Sequence, residues 1–105
     1  MVSLFAVASL MVASAALATE EEAINLIDSH NCRGCHKTVS KKVGPAFSDI
    51  AKKYKGEATA AATLETKILS GGRGVWGRMP MPEYKNYLTP KEAKVIVTYI
   101  LSMAD

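Results

Sequence analysis

The side chains best suited to chemistry lie in residues 31–37, which read Asn-Cys-Arg-Gly-Cys-His-Lys. Cys32 and Cys35 are separated by two residues, and His36 follows immediately. Cysteine pairs with this spacing carry out thiol–disulfide exchange, contribute ligands to zinc sites, or attach a c-type haem. The rest of the chain has to be consistent with one of these three kinds of chemistry.

The disulfide and zinc interpretations fit the remaining sequence poorly. Redox-active Cys-x-x-Cys pairs usually lie where strands and helices alternate, and no run of alternating apolar and polar residues is long enough to predict a strand. For zinc, His30 and His36 would complete four ligands. However, His36 directly follows Cys35 and would crowd the same ion, and no second ligand pair occurs at finger spacing.

Haem attachment explains the motif better, because Cys-x-x-Cys-His is the attachment signal of c-type haem. One helical turn spaces the two thiols to match the two vinyl groups on one edge of the macrocycle. His36 would then lie beneath the iron as a ligand. Thioether bonds from Cys32 and Cys35 would also leave an exported chain without free thiols.

A second iron ligand is predicted in the segment Pro80-Met81-Pro82. The two prolines restrict the backbone, so a weakly binding thioether is offered with little ordering entropy to lose. Ligation by His36 and Met81 would raise the reduction potential and close the iron to substrates, which suits electron transfer. Met79 is the alternative ligand, and a methionine that only fills a gap in the core is the structural alternative.

The start of the chain predicts export. Residues 1–18 carry no charge and end in Ala16-Leu17-Ala18, the small-x-small pattern of a signal peptide cleaved before Thr19. The usual basic start is missing, and an uncleaved membrane anchor is the alternative, although the apolar run is slightly short for a span. We therefore predict a signal peptide over 1–18, one domain over 19–105, and a periplasmic protein.

The charged residues favour an acidic protein partner. All 13 Lys and Arg and all 10 Asp and Glu follow residue 18, so the domain keeps the net charge of +3. Lysines are concentrated between residues 37 and 55, and for an exported protein a negatively charged protein surface is a better match than nucleic acid. An ordinary solvated face is an equally good explanation of these lysines.

Four helices are predicted to position the motifs, in an all-α domain. They cover Glu20 to about Asn31, Pro45 to a stop at Gly56, Ala58 to Ser70, and a last helix from Pro90 that Thr89 and Glu92 cap. Between the third and fourth helices lies a glycine- and proline-rich loop, whose length predicts a functional role. The predicted inward residues are Ala23, Ile24, Ile27, Phe47, Ile50, Ala51, Tyr54, Ala61, Leu64, Ile68, Ala93, Ile96, Val97, Ile100 and Leu101.

These motifs, taken in order, resemble a known family. "CRGCH", "KKVGPAFSDIAKKYKG", "GGRGVWGRMPMP" and "EAKVIVTYILS" are similar to the small monohaem class I cytochromes c of bacterial respiratory and denitrifying chains. The similarity covers about residues 20–103. It implies a cytochrome c fold of a few helices wrapped around one covalently attached haem c, with the N- and C-terminal helices crossing.

The resemblance also implies roles for individual residues. His36 and Met81 would be the axial ligands, and the Pro45 carbonyl would accept a hydrogen bond from the His36 ring. Trp76 would donate its indole N–H to a haem propionate, with core packing as its alternative role. Lys67 stands where relatives commonly have an arginine beside the propionate.

Two departures from the family pattern lie next to Met81. Relatives often have a second proline and then an amide residue that steadies the methionine. This chain has Glu83 in place of that proline, which leaves the amide role unassigned. Asn86 could take the role only if the loop shifts, and His30 has no role to carry over.

The function implied by the resemblance is electron carriage rather than catalysis. A monomer would shuttle one electron between redox proteins: a quinol-oxidising complex or another cytochrome as donor, and an oxidase, peroxidase or nitrite reductase as acceptor. Its docking face would be the haem edge beside Val43, Ala46 and Met79, with Lys37, Lys41 and Lys42 steering an acidic partner. A gas sensor or haem enzyme, a helical-bundle cytochrome and a thiol oxidoreductase are the alternatives.

Overall fold

The structure is a computed structural model, and it describes residues 19–104. The predicted signal peptide over 1–18 and the last residue, Asp105, lie outside the described residues. Helix α1 covers residues 19–29 and is followed by one 3-10 turn, Cys32–Gly34. The remaining helices are α2, Phe47–Tyr54, α3, Ala60–Ser70, and α4, Pro90–Leu101. Over residues 19–104 the β-type pairing amounts to one isolated antiparallel bridge, Gly72 with Met81, so the all-α prediction is confirmed.

Helix α4 begins where the sequence predicts. Thr89 is the N-cap, and its hydroxyl oxygen accepts a 3.1 Å hydrogen bond from the Glu92 backbone N–H. The Glu92 carboxylate in turn accepts a 2.9 Å bond from the Thr89 backbone N–H. This bond lowers the pKa of Glu92 below its ordinary value. Pro90 fits the first turn because its missing N–H would have no helical partner there.

The starts of α2 and α3 differ from the prediction. Helix α2 begins at Phe47 rather than Pro45, and the reason is chemical: the Pro45 carbonyl accepts a hydrogen bond from the His36 ring, while Ala46 provides the first carbonyl to accept from the helix. Gly56, just beyond the end of α2, has φ +81°, as expected of a glycine that stops a helix. Helix α3 begins at Ala60 rather than Ala58.

Both ends of α1 also differ from the prediction. Residue 19 is already helical, one residue before the predicted start at Glu20. At the other end the helix stops at residue 29, two residues early. Asn31 then adopts the left-handed conformation, φ 54°, which turns the chain into the cysteine motif.

One apolar core joins the four helices. Ile27 of α1, Ile50 of α2, and Ile96 and Ile100 of α4 belong to one buried cluster, and α4 packs against both α2 and α3. Among the predicted inward residues, Ala61 is wrong: it is exposed, and its neighbour Ala60 is buried instead. Within residues 19–104 no helix is long and apolar enough to cross a membrane.

Candidate haem site

The cysteine motif forms a tight turn directly after α1. The His36 backbone N–H donates a 2.9 Å hydrogen bond to the Cys32 carbonyl, so the two residues lie one turn apart. Cys32 is half-buried and Cys35 is exposed, and no disulfide joins them. The chain therefore presents the two sulfurs and the imidazole from a single short segment.

Two contacts set the orientation of the His36 ring. Its Nδ1 lies 2.7 Å from the Pro45 carbonyl oxygen, which accepts the hydrogen bond that the resemblance implies. The ring also stacks on Phe47, with centroids 5.4 Å apart and planes 18° apart. Gly44 passes so close that a Cβ atom there would lie 2.7 Å from the His36 Cε1 atom. With Nδ1 in this bond, Nε2 is the ring nitrogen left to bind a metal.

Met81 is held by its backbone. Its N–H donates a 2.8 Å hydrogen bond to the Gly72 carbonyl, and its carbonyl accepts a 3.0 Å bond from the Gly72 N–H. Just beyond it, Tyr84 and Lys85 donate their backbone N–H groups to the last carbonyls of α3, at 3.1 Å each. The two ends of the loop are therefore hydrogen-bonded to each other and to the end of α3. These bonds fix the backbone position of Met81.

Gly71 makes this closure possible. Its φ is +67°, and a Cβ atom there would collide with the Met81 carbonyl oxygen and lie 2.9 Å from the Glu83 nitrogen. Only glycine combines this backbone conformation with such a close approach.

We expect Gly71→Ala to displace the Met81 segment and to destabilise the protein. Gly56→Ala is the matched control, because Gly56 has a similar positive φ but no heavy atom within 4 Å of the added Cβ. The control should lose about 1–2 kcal/mol of unfolding free energy from the left-handed backbone alone. Gly71→Ala should lose roughly 1–3 kcal/mol more, because the added Cβ overpacks the site and because Gly71, with φ 67° and ψ −154°, has a backbone conformation that almost only glycine adopts. Equal losses in chemical denaturation would contradict this account.

The cysteine motif and the Met81 segment line the same cavity. Cys32, Cys35 and His36 contribute from the motif, and Met81 contributes from the glycine-rich loop. Most of the remaining lining is apolar, and much of it comes from α2, α3, α4 and Leu88 just before α4. It includes Phe47, Ile50, Tyr54, Leu64, Ile68, Leu88, Ile96, Val97 and Ile100. Six of the eight residues in the buried core cluster also line this cavity, so the core is built around it.

The charged groups of the cavity have one sign. Lys67 and Arg73 are the two charged side chains among the described lining residues, and no carboxylate lines the cavity. Trp76 lines it as well and remains 44% exposed. The Nζ atom of Lys53 lies 5.8 Å from the centroid of the Trp76 ring, a cation–π contact that the sequence did not predict.

The zinc and thiol-exchange alternatives gain no support from this geometry. Among residues 19–104 no group of three or more His, Cys, Asp or Glu side chains is arranged to hold a metal ion. Burial raises the pKa of the Cys32 thiol, although its own backbone and the Arg33 charge act in the opposite direction. Thiol–disulfide exchange requires a thiolate, which a raised pKa disfavours.

Comparison with known proteins identifies the family. The model of the cytochrome c family matches residues 20–104, nearly the whole described chain. The chain belongs to the cytochrome c family. This result confirms the resemblance to small bacterial cytochromes c, and with it one covalently attached haem c.

Individual cytochromes c agree with this assignment. The chain is 46% identical over 78 residues to a cytochrome c-552 of Hydrogenobacter thermophilus, covering 74% of this chain and 78% of that protein. It is 40% identical over 99 residues to a cytochrome c-552 of Nitrosomonas europaea, covering 94% of this chain and 91% of that protein. The crystal structure of wild-type Nitrosomonas europaea cytochrome c552 matches with a TM-score of 0.72 at 41% identity, covering 76% of this chain and 98% of that chain. The predicted cytochrome c fold is confirmed.

The residues of the cavity fit a haem c. A macrocycle needs a broad apolar enclosure, which the cavity lining supplies. Its two propionates need positive or hydrogen-bonding partners, and the charged lining residues, Lys67 and Arg73, are both cations. Cys32 and Cys35, which would form the thioethers, both line the cavity.

The two departures from the family pattern have structural consequences. Glu83 is exposed and forms an ion pair with Lys85 at 3.5 Å, so it points to solvent. Tyr84 lines the cavity, and its hydroxyl lies 3.5 Å from the His30 carbonyl oxygen, while burial raises its pKa. Asn86 lies in the exposed turn that follows. The sequence did not predict Tyr84 as a lining residue, because it belongs to no recognised motif.

Proposed function

We propose that this cytochrome c is a periplasmic electron carrier, with His36 and Met81 as the axial ligands of its haem. The haem supplies a one-electron Fe(III)/Fe(II) couple when it is bound. The observation that carries the proposal is the single cavity on which the cysteine motif and the Met81 segment both open. The protein's own residues would attach the group and orient its ligands.

The His36 side of the site supports a rigid ligand. Its Nδ1 donates to the Pro45 carbonyl at 2.7 Å, so Nε2 is the nitrogen that would bind the iron, and this bond would make the imidazole a better electron donor. The short 3-10 turn ties this imidazole to the attachment cysteines. A ligand held in this way changes little between oxidation states, which keeps the reorganisation energy small.

Exposure favours Met81 over Met79 as the second ligand. Both methionines line the cavity, but Met79 is 68% exposed, whereas Met81 is half-buried. The two hydrogen bonds to Gly72 also restrain the backbone of Met81, and Met79 has no such pair among the backbone bonds of residues 19–104. A weak thioether ligand benefits most from a backbone that is already ordered.

The rim of the cavity supports docking to an acidic redox protein. Four exposed apolar side chains line its opening: Val43, Val75, Trp76 and Met79. The exposed lysines Lys37, Lys41 and Lys42 follow the cysteine motif closely and would attract a negative surface. Ala46, which the sequence assigned to this face, is fully buried, so it takes no part in docking.

The test is an absorption spectrum of the matured protein, oxidised and reduced, together with electron exchange with an acidic redox protein. We expect a c-type haem spectrum with a methionine-to-iron charge-transfer band when oxidised, and an exchange rate that falls as salt rises. Carbon monoxide binding to the reduced protein would contradict the closed iron and favour a gas sensor or haem enzyme. Cysteines in a disulfide, detected by mass spectrometry, would favour a thiol oxidoreductase.

A further inference from the structure

Arg33, one of the two residues between the attachment cysteines, makes more contacts than its position in the motif requires. Its Nε donates a 3.0 Å hydrogen bond to the Asp28 carboxylate in α1. One terminal nitrogen donates a second 3.0 Å bond to the Thr38 hydroxyl oxygen, beyond His36. Its guanidinium carbon lies 5.8 Å from the centroid of the Phe47 ring. One side chain therefore contacts the segments before and after His36 and the ring against which the imidazole stacks.

We propose that Arg33 is a positioning residue for His36, which acts by fixing Phe47 and the segment around Thr38. This inference rests on the proposed role of His36 as a ligand. The three contacts of Arg33 are called the Arg33 clasp below, and they involve Asp28, Thr38 and Phe47.

The clasp supplies a restraint that the Pro45 hydrogen bond alone cannot. A single bond at Nδ1 fixes one atom of the imidazole but leaves the ring free to swing about that bond. The Phe47 ring, nearly parallel to the imidazole at 18°, limits this swing. Whatever holds Phe47 in place therefore helps to set the plane of the imidazole.

Arg33 reaches Phe47 by two routes. The direct route is the cation–π contact with the ring. The second route runs through the backbone: Ser48 donates a 3.0 Å bond to the Thr38 carbonyl, and Phe47 donates a 2.8 Å bond to the Lys37 carbonyl. Because Arg33 binds the Thr38 side chain, it restrains residues 37–38, whose carbonyls accept hydrogen bonds from the first residues of α2. The planar guanidinium fork of arginine has several N–H donors in fixed directions, so it can bind the Asp28 and Thr38 side chains at the same time.

Arg33 contributes more to orientation than to stability. The Arg33 and Asp28 side chains are 38% and 57% exposed, and exposed ion pairs contribute little to folding free energy. Its charge nonetheless lies next to the haem-attachment cysteines, where a cation favours the reduced, less positive iron. Loss of Arg33 should therefore change the site while leaving the melting temperature nearly constant.

The experiment compares four matured holoproteins: wild type, Arg33→Met, Arg33→Lys and Asp28→Asn. The measurements are the reduction potential, the paramagnetically shifted proton resonances of the axial histidine in the oxidised protein, and the melting temperature. Arg33→Met should lower the potential and shift the histidine resonances. Arg33→Lys keeps the charge but loses the fork, so it should keep the potential and still shift the resonances. Asp28→Asn leaves the cation without its counter-charge and should raise the potential.

The resonances decide the positioning role. Histidine resonances that stay in place in both Arg33 variants would overturn it, even if the potential falls in Arg33→Met. Should Arg33→Met fail to mature, Thr38→Val keeps the cation and removes one acceptor, and unchanged histidine resonances there would overturn the inference as well. A wild-type protein without axial histidine resonances would instead contradict the proposed ligation by His36, so the two failures are distinguishable.

Discussion

Replacing Met81 with alanine is expected to lower the reduction potential and to open the iron to small ligands. The thioether stabilises the reduced iron, and axial ligand sets spread haem potentials over about 0.8 V, so we expect a fall on the order of 0.1 V or more. The methionine-to-iron charge-transfer band of the oxidised protein should disappear, and carbon monoxide should bind to the reduced protein. Spectroelectrochemistry and carbon monoxide titration measure these effects.

The matched control for this prediction is Met79→Ala. Met79 lies in the same loop and lines the same cavity, but its side chain is 68% exposed and it lacks the paired bonds to Gly72. Its removal should leave the charge-transfer band and the potential largely unchanged. If Met79→Ala abolished the band while Met81→Ala did not, the two ligand assignments would have to be exchanged.

Without attached haem, the chain is expected to lose its cooperative fold. A chain of this size buries only about 60% of its unfolded surface, so its core is marginal. Here six of the eight core residues also line the cavity, and their inward faces depend on an apolar partner within it. The double variant Cys32→Ala/Cys35→Ala, which cannot form the thioethers, should show little helical circular dichroism and no sharp thermal transition.

The control for haem dependence keeps the sequence constant. Wild-type chain produced without the haem-attachment machinery should be as unfolded as the double variant, whereas the matured wild type should melt cooperatively. A well-folded haem-free wild type would mean that the helices pack without the macrocycle. If only the double variant were unfolded, the cysteine side chains themselves would be the cause.

Local sequence signals predicted the parts of the fold that depend on local chemistry. The Thr89-Pro90-x-Glu92 pattern fixes the start of α4 because the cap, the proline and the carboxylate all act within one turn. The start of α2 was missed because Pro45 fits both a helix start and an acceptor for His36. Its carbonyl accepts from the ring of His36, nine positions earlier, and the helix starts two residues later at Phe47.

The sequence singled out four residues that line the cavity, but not the residues that hold them in place. Cys32, Cys35, His36 and Met81 carry recognisable chemistry at a recognisable spacing, and the structure brings all four to one cavity. Gly71 was predicted only to help end α3, and the close approach of other residues to Gly71 and Gly44 was not predicted, because it depends on what passes near them in space. The same is true of Arg33, whose partners lie five residues away on either side and in α2.

The paired bonds between Gly72 and Met81 use main-chain atoms alone. Val75 and Met79, two exposed side chains between these anchors, can therefore be exchanged without altering how the ends of the segment are joined. This separates the coordination chemistry from these two surface positions of the loop. Natural selection can then retune recognition of a new redox partner one surface residue at a time, while the electron-carrying centre is inherited intact.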